Sequence, residues 1–325
     1  MRRLLIACAA SLILYGAAFT WLLDRPLTLG ALRARIEATV ALGETIQQPK
    51  LVILAGSNGP FSHRCETIEP IIGRPCINAG VAVGVGLDYL FTRWKPLLHP
   101  GDLVYLPLEE TQYVRPRATS DLGPDATIML RHDHATLVTL PLRRQIAAVF
   151  ASDLRAAIMS VIETALADDG FDDPRAAAGG GFNAWGDHVG HTAALARLNQ
   201  STLAAIVPVH PTAVQIQAGY GSRLVADFLR WAGRHGVRAI GGLPTGFSDS
   251  PIRDDSLTAI RAIYRDQGAG FLELPNRSRY PRSAFFDTQD HLNETAQIDH
   301  SVAIAEALVR LTATTLTVRT PAPPP

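Results

Sequence analysis

Short apolar runs alternate along the chain with longer stretches whose apolar residues recur every three or four positions. Uninterrupted apolar runs predict buried strands, and the longer spacing predicts amphipathic helices. The predicted strands cover residues 51–55, 76–78, 103–108, 237–243 and 270–274. The predicted helices between and after them cover 66–72, 87–98, 221–234, 256–267 and 294–311. This alternation predicts an α/β fold with a mainly parallel five-stranded sheet and helices on both faces.

The N-terminal residues form a separate apolar segment. Arg2 and Arg3 precede 4–23, a run of twenty residues without a charge. A helix of that length reaches about 30 Å, the thickness of a bilayer core, and the positive charges before it favour a cytoplasmic N-terminus. We therefore predict an anchor or uncleaved signal over 1–25, with a single-pass inner-membrane location and a periplasmic domain. A signal peptide cut near residues 15–18 is the alternative.

The rest of the chain is predicted to form one α/β domain over 50–314, preceded by a membrane-proximal helix within 26–49. An insertion at about 111–200 is less periodic, with a polar, glycine-rich stretch over 168–192. Helical spacing over 142–166 predicts one long amphipathic helix, and we interpret the remainder of the insertion as surface loop. The proline-rich end, 315–325, predicts a tail that cannot pack as a helix.

Charge and motifs exclude several classes of function. Thirty basic and thirty acidic residues give a formal net charge of zero, which argues against a nucleic-acid-binding surface. The glycine-spaced loop over 80–86 follows the second strand and has no lysine after it, so it fits neither a dinucleotide-binding nor a phosphate-binding loop. The histidine pairs His132 with His134 and His188 with His191 lack a third ligand at a telling spacing. We predict neither a metal nor a cofactor.

The interpretation of the cysteines depends on the compartment. Cys8 lies in the predicted anchor, which leaves Cys65 and Cys76 in the exported domain. In an oxidising compartment these two residues are able to form a disulfide. Two buried free thiols are the equally supported alternative.

Residues able to do chemistry follow successive strands. In an open parallel sheet, sites form beyond the carboxyl ends of the strands. Ser57 follows the first strand, Glu109 the third, and Asp287 and His291 lie between the fifth strand and the last helix. Serine becomes a nucleophile when a base takes its proton and an acid orients that base. The order predicts such a site; the alternatives are a helix cap for Ser57 and a structural role for His291.

Three blocks of the sequence resemble the SGNH, or GDSL-type, hydrolase family, over roughly 50–110 and 235–312. They are Gly56-Ser57-Asn58, the stretch 78–84, and the stretch 287–291. The resemblance implies a flavodoxin-like three-layer fold, with Ser57 as nucleophile and His291 as base. It also implies that the N–H of Gly84 or Gly80 helps to bind the oxyanion.

The sequence departs from the family pattern in two places. The family's acid stands three residues before the histidine, where this chain has Thr288. We favour Asp287, four residues before His291, over the adjacent Asp290, because an adjacent side chain normally points away from its neighbour. Glu109 and Glu110 stand where the family has an oxyanion-binding asparagine, and a carboxylate donates only when it is protonated. Asn58 and Asn183 are the alternative donors.

The functional expectation follows from the resemblance. The Phe-Asp-Thr-x-x-His-Leu-Asn string over 286–293 looks like a bacterial envelope branch found beside exopolysaccharide synthesis and acylation, including cellulose-synthesis accessory proteins. It implies an esterase or acyltransferase acting on O-acyl, chiefly O-acetyl, groups of an extracellular polysaccharide. A polysaccharide synthase or a membrane acyltransferase is the implied protein partner. The alternative is a non-catalytic accessory or glycan-binding subunit of a polysaccharide synthesis or export complex.

Overall fold

The computed structural model describes residues 1–23, 27–151 and 181–317. The chain divides into two compact units. One unit consists of Met1–Ala34 and Ala118–Ala178, and the other of Arg35–Arg117 and Gly179–Pro325. The larger, second unit contains the sheet and the predicted site residues.

The order of elements is that of an α/β protein. The strands are β1 (Leu51–Ile53), β2 (Cys76–Asn78), β3 (Leu103–Leu106), β4 (Arg238–Gly242), β5 (Gly246–Phe247), β6 (Gly270–Leu272) and β7 (Arg279–Tyr280). The helices are α1 (Arg2–Leu23), α2 (Leu27–Thr45), α3 (Asn58–Ser62), α4 (Cys65–Ile72), α5 (Leu87–Trp94), α6 (Glu110–Val114), α7 (Arg117–Asp121), α8 (Pro124–His132), α9 (His134–Leu137), α10 (Leu142–Val149), α11 (Ala193–Ala196), α12 (Gln200–Ala205), α13 (Ala213–Ala218), α14 (Tyr220–Arg234), α15 (Asp254–Arg265) and α16 (Glu294–Thr317). Short 3-10 turns lie at Lys95–Leu97, Arg197–Asn199 and Arg282–Ala284.

The main sheet has five strands in the order β2-β1-β3-β4-β6. Each neighbouring pair is parallel, so all carboxyl ends lie at one edge. β1, an interior strand between β2 and β3, is buried along its whole length, as its apolar sequence requires. The prediction of a five-stranded parallel sheet within an α/β fold is confirmed.

One face of the sheet is covered by α4 and α16. Leu51, Ile53 and Tyr105 from the strands share a buried apolar cluster with Ile68 of α4 and Ile304 of α16. α4 ends at Gly73, whose φ of 66° allows the left-handed turn into β2. This face fixes α16, and α16 in turn fixes the chain just before it.

The N-terminal expectation finds no support in the structure. Residues 2–23 form the helix α1. No helix within the described residues is both long and apolar enough to cross a membrane. The prediction of a membrane-spanning segment over 4–23 is therefore not supported by the structure.

The predicted insertion at 111–200 was oversimplified. Several short helices, α6 to α10, occupy 110–149, where the sequence predicted little beyond one long helix. The long helix predicted over 142–166 is described only for Leu142–Val149. This helix ends at Val149, and residues 152–180 lie outside the described residues, as do residues 318–325 of the predicted tail.

Two further elements differ from the predictions. β5 and β7 form a separate parallel pair, with Gly246 opposite Arg279 and Phe247 opposite Tyr280. Two-residue strands lack the periodicity that would reveal them in a sequence. The last helix also begins after its Asn293 cap as predicted but extends to Thr317.

Cys65 and Cys76 form a disulfide that joins the start of α4 to β2, with their Cα atoms 5.2 Å apart. Both residues are buried in the cluster beneath the sheet. The open choice between a disulfide and two free thiols is therefore resolved in favour of the disulfide.

We expect the disulfide to stabilise the fold by about 2–4 kcal/mol, because it closes a short loop and restricts the unfolded chain. Urea unfolding of the oxidised chain should give a free energy of unfolding higher by that amount than for a Cys65→Ala/Cys76→Ala double variant. Cys8→Ser, which removes the exposed free thiol, is the control and should leave the midpoint unchanged. Equal midpoints for the oxidised chain and the double variant would contradict the prediction.

Candidate active site

Ser57 lies on the sharp turn that joins β1 to α3. It occupies the N-cap position of α3 with helical backbone angles, φ −64° and ψ −21°. Its hydroxyl makes no capping hydrogen bond to that helix. The hydroxyl is instead paired with the side chain of His291, with 2.8 Å between Oγ and Nε2. The capping role that serine commonly has at this position does not account for Ser57.

His291 connects Ser57 to a carboxylate. Its Nδ1 lies 2.7 Å from Oδ1 of Asp287. Because an ionised carboxylate only accepts hydrogen bonds, Nδ1 carries the proton and Nε2 is free to accept from the Ser57 hydroxyl. His291 is 9% exposed, whereas the Asp287 side chain is 40% exposed. The three residues form a continuous hydrogen-bonded chain in the geometry that activates a serine.

A tight chain reversal before α16 brings Asp287 and His291 together. Phe285 and Leu292 form an antiparallel bridge, and the N–H of Phe286 donates to the carbonyl of His291 at 2.8 Å. Asp287 and His291 therefore flank the three residues of the reversal, 288–290. The four-residue spacing that departs from the family pattern is accommodated by this loop.

Asp290, the alternative acid, does not contact the imidazole in the same way. Its carbonyl accepts hydrogen bonds from the hydroxyls of Ser62 and Thr245, and its side chain lines a neighbouring cleft. Burial of its carboxyl raises the pKa of Asp290 to about 6. The hydrogen-bond geometry thus places Asp287, and not Asp290, on His291.

An aromatic stack holds the imidazole from the side. The Phe61 ring lies 4.1 Å from the His291 ring at 11° and 4.0 Å from the His188 ring at 19°. His188 in turn contacts His191, with 3.0 Å between their Nδ1 atoms. Burial lowers the pKa of His188 to about 3 and that of His191 to about 4. The two neighbouring histidines are therefore neutral at physiological pH.

Neither histidine pair noted in the sequence builds a metal centre. His132 and His134 lie in the other compact unit, where their rings are paired with Arg33 and with the carbonyl of Leu130. Across residues 1–23, 27–151 and 181–317, no group of three or more His, Cys, Asp or Glu side chains is arranged to hold a metal ion.

Asn183, an alternative oxyanion donor, is engaged elsewhere. Its Nδ2 donates to Asp187 at 3.1 Å, and its Oδ1 accepts from the N–H groups of Trp185 and Asp187. Asp187 is buried and also accepts from the backbone N–H groups of Cys65 and Glu66. The structure therefore gives Asn183 a role in shaping its own loop and does not bring it to Ser57.

Gly80 lies against the turn that carries Ser57. A Cβ atom on Gly80 would stand 2.8 Å from the Cα of Gly59 and 2.9 Å from the carbonyl oxygen of Gly56. Both approaches are too close for a side chain, so the two loops pack backbone to backbone. Gly84 lies four residues further on, in the turn before α5.

Asn58 is fully buried beneath the same turn. Its Nδ2 donates to the carbonyl of Pro107 at 2.7 Å, whereas its Oδ1 is buried without a hydrogen-bond partner among the described residues. Glu109, at the end of β3, is 7% exposed. Burial raises the pKa of Glu109 to about 8, and the charge of Asp290 adds to this shift.

A cleft of about 360 Å³ adjoins these residues. Its polar wall is formed by Glu110, which the sequence had singled out, and by His210, Ser250 and Arg279, which it had not. The Nδ1 of His210 lies 3.0 Å from Oε2 of Glu110, and its Nε2 lies 3.0 Å from Oγ of Ser250. Contact with Glu110 raises the pKa of His210. These residues come from segments that are far apart in the sequence, so no local motif predicts their association.

Comparison with known proteins yields no relative. No family model, no curated protein and no solved structure matches this chain. The function is therefore inferred from the geometry of the site and from the family resemblance of the three sequence blocks.

The buried His63 beneath the site predicts a loss of stability in acid. It is fully buried, and burial lowers its pKa from 6.5 to about 4. Between these values the unfolded chain binds the proton and the folded chain does not, so the free energy of unfolding falls as the pH falls. The shift corresponds to about 3 kcal/mol between pH 6.5 and 4.

Chemical denaturation of the His63→Leu variant at several pH values in this range checks the prediction. The variant should lose less stability on acidification than the parent chain, by about that 3 kcal/mol. His235→Leu, which replaces an exposed histidine, is the matched control and should keep the parent's pH dependence. Parallel curves for His63→Leu and the parent would contradict the assignment.

Proposed function

We propose that this chain is an SGNH-type serine esterase or acyltransferase. The observation that carries the proposal is the hydrogen-bonded chain from Ser57 through His291 to Asp287, with 2.8 Å and 2.7 Å between the paired atoms. The main sheet has the order β2-β1-β3-β4-β6, and β5 lies in a separate pair. Counting only the strands of the main sheet, the order is 2-1-3-4-5, which supports the flavodoxin-like arrangement that the family resemblance implies.

The proposed mechanism is acyl transfer through a covalent intermediate. His291, oriented by Asp287, accepts the proton of the Ser57 hydroxyl as Oγ attacks the ester carbonyl. The imidazolium then gives that proton to the departing alcohol, leaving an acyl group on Ser57. Water or a second hydroxyl, deprotonated by His291, releases the acyl group and completes hydrolysis or transfer.

The negative oxygen of the intermediate requires donors close to Ser57. The backbone N–H of Ser57 is the first proposed donor, and Gly80 and Gly84 are the candidates for the second. The backbone of Gly80 packs against the Ser57 turn, and its N–H lies 3.4 Å from Oδ1 of Asn78. Each such donor contributes roughly 3–4 kcal/mol to transition-state stabilisation in comparable sites.

The proposed substrate class follows from the family resemblance, and the proposed location is supported by the disulfide. The resemblance of the Asp287–His291 block implies O-acyl groups, chiefly O-acetyl, on an envelope polysaccharide. The Cys65–Cys76 disulfide supports an oxidising compartment outside the cytoplasm.

A non-catalytic accessory or glycan-binding subunit is the second candidate function. Glu109 and Glu110 in place of the family's asparagine favour it. The intact geometry of Ser57 and His291 opposes it, because a scaffold would not need a hydroxyl held on a histidine nitrogen.

A serine-reactive fluorophosphonate probe separates the two functions. We expect the purified chain to be labelled at Ser57, with labelling abolished in Ser57→Ala and slowed at least about 1,000-fold in His291→Ala. Peptide mapping should locate the adduct, and Ser250→Ala is the matched control because Ser250 also contacts a histidine. A folded parent chain that resists labelling would favour the non-catalytic subunit.

The identity of the acid is tested by two neighbouring substitutions. Asp287→Asn should slow labelling by about 100-fold to 10,000-fold, because an amide stabilises the wrong imidazole tautomer. Asp290→Asn should have an effect at least about tenfold smaller, since Asp290 makes no such hydrogen bond to His291. The measurement is the second-order rate constant of labelling for both variants. A larger effect at Asp290 would reverse the assignment.

A further inference from the structure

The carboxyl group of Glu109 lies directly beneath the turn that carries Ser57. A Cβ atom on Gly56 would stand 2.6 Å from Oε1 of Glu109 and 3.4 Å from Oδ1 of Asn58. These two oxygens therefore border the same small space, which lies beside Gly56 in the turn that carries Ser57. Both are buried, and neither has a hydrogen-bond partner within the described part of the chain.

The remaining hydrogen bonds of both side chains are already assigned. Glu109 accepts the N–H of Gln112 as part of a capping box at the start of α6, and the backbone N–H of Asn58 also hydrogen-bonds its carboxyl, which opposes the rise of the Glu109 pKa. Asn58 donates from Nδ2 to the carbonyl of Pro107. A carbonyl has no hydrogen to offer, so the amide nitrogen must face Pro107, and the amide oxygen faces the space beside Gly56 that Oε1 of Glu109 also borders. The orientation of Asn58 is thus determined by its surroundings.

Two buried acceptor oxygens in one space require a hydrogen between them. An ionised Glu109 would place a desolvated charge beside the Asn58 carbonyl dipole, a cost in free energy that the N–H groups of Gln112 and Asn58 offset only in part. A protonated Glu109 instead supplies the missing donor. Burial favours the protonated form and raises the pKa of this carboxyl to about 8.

Four other titratable groups line the cleft beside Glu109. Asp290, from the reversal before α16, and Glu110, from α6, both line the adjoining cleft, and the charge of Asp290 favours retention of the proton on Glu109. Arg279 of β7 and His210 line the same cleft, but both are paired with Glu110. Their positive charge is therefore directed at Glu110, which leaves the burial of Glu109 as the dominant influence.

We propose that Glu109 is a protonated positioning residue that donates a hydrogen bond to Oδ1 of Asn58 and so holds the Ser57 turn in its reactive geometry. The link to reactivity rests on the proposed function, whereas the hydrogen bond itself does not. If Glu109 lost this proton, its carboxylate oxygen would repel Oδ1 of Asn58 beside the turn that carries Ser57. The reactivity of Ser57 should then decline at alkaline pH.

Glu109→Gln is the informative variant. Glutamine keeps an oxygen to accept the Gln112 N–H and supplies a permanent N–H₂ donor toward Asn58. Fluorophosphonate labelling of the parent chain should decline above pH 8, and this decline should be absent in Glu109→Gln, which should retain the parent's rate at pH 7 within about threefold. Glu109→Leu, which lacks the donor, should be labelled about 10-fold to 100-fold more slowly at every pH.

Glu110→Gln makes the same chemical change one residue away and is the control. It should keep the alkaline decline of the parent chain. If Glu109→Gln is as slow as Glu109→Leu, or shows the same alkaline decline as the parent, the proposal is overturned.

A second measurement does not depend on activity. A carboxyl whose pKa rises from 4.5 to about 8 on folding makes the folded chain bind more protons than the unfolded chain in that range. The folding equilibrium of the parent should therefore weaken relative to Glu109→Gln by up to about tenfold per pH unit as the pH rises from 5 to 8. A constant difference would overturn the protonation, even if Ser57 is labelled. If no labelling occurs at any pH, the proposed function fails, and the stability curves still decide where the proton resides.

Discussion

The parallel pairing of β1 with both β2 and β3 is the constraint on which the candidate site depends. Ile53, at the end of β1, is in register with Asn78 of β2 and with Tyr105 of β3. The segments that follow these three strands therefore leave the sheet side by side and in the same direction. The turn with Ser57 meets the Gly80 loop on one side and Glu109 on the other. A shift of one strand by one residue would separate these groups and reverse the faces of its side chains.

The site is also supported from a segment that is distant in sequence. The buried carboxylate of Asp187 accepts hydrogen bonds from Cys65 N, Glu66 N, Asn78 Nδ2 and Asn183 Nδ2, at 2.8 to 3.1 Å. These donors compensate the cost of burying the group. They attach the 181–191 segment to the start of α4 and the end of β2. His188, next in the chain, is thereby placed against Phe61, whose other face holds the imidazole of His291.

The fold was predictable to the extent that it depends on local hydrophobic pattern. All five strands of the main sheet were located, because a buried parallel strand requires an uninterrupted apolar run. Ser57 and His291 could be brought together from strand order alone. The β5–β7 pair could not, since two-residue strands carry no periodicity. His210, Ser250 and Arg279 were missed because their association depends on tertiary packing of separate loops.

The assignment of the acid shows why spacing is a limited guide in such sites. Asp290 and His291 are adjacent in the chain, but Asp290 lies in the turn and lines the cleft, while Nε2 of His291 contacts Ser57. Asp287 returns to the His291 side because the hydrogen bond from Phe286 N to His291 O closes the reversal between them. The acid is therefore the residue just inside the closing bond, next to Phe286, which is itself paired with His291. A loop with one residue more or less preserves this relation only if the closing bond moves with it, so the separation in sequence varies while the geometry is retained.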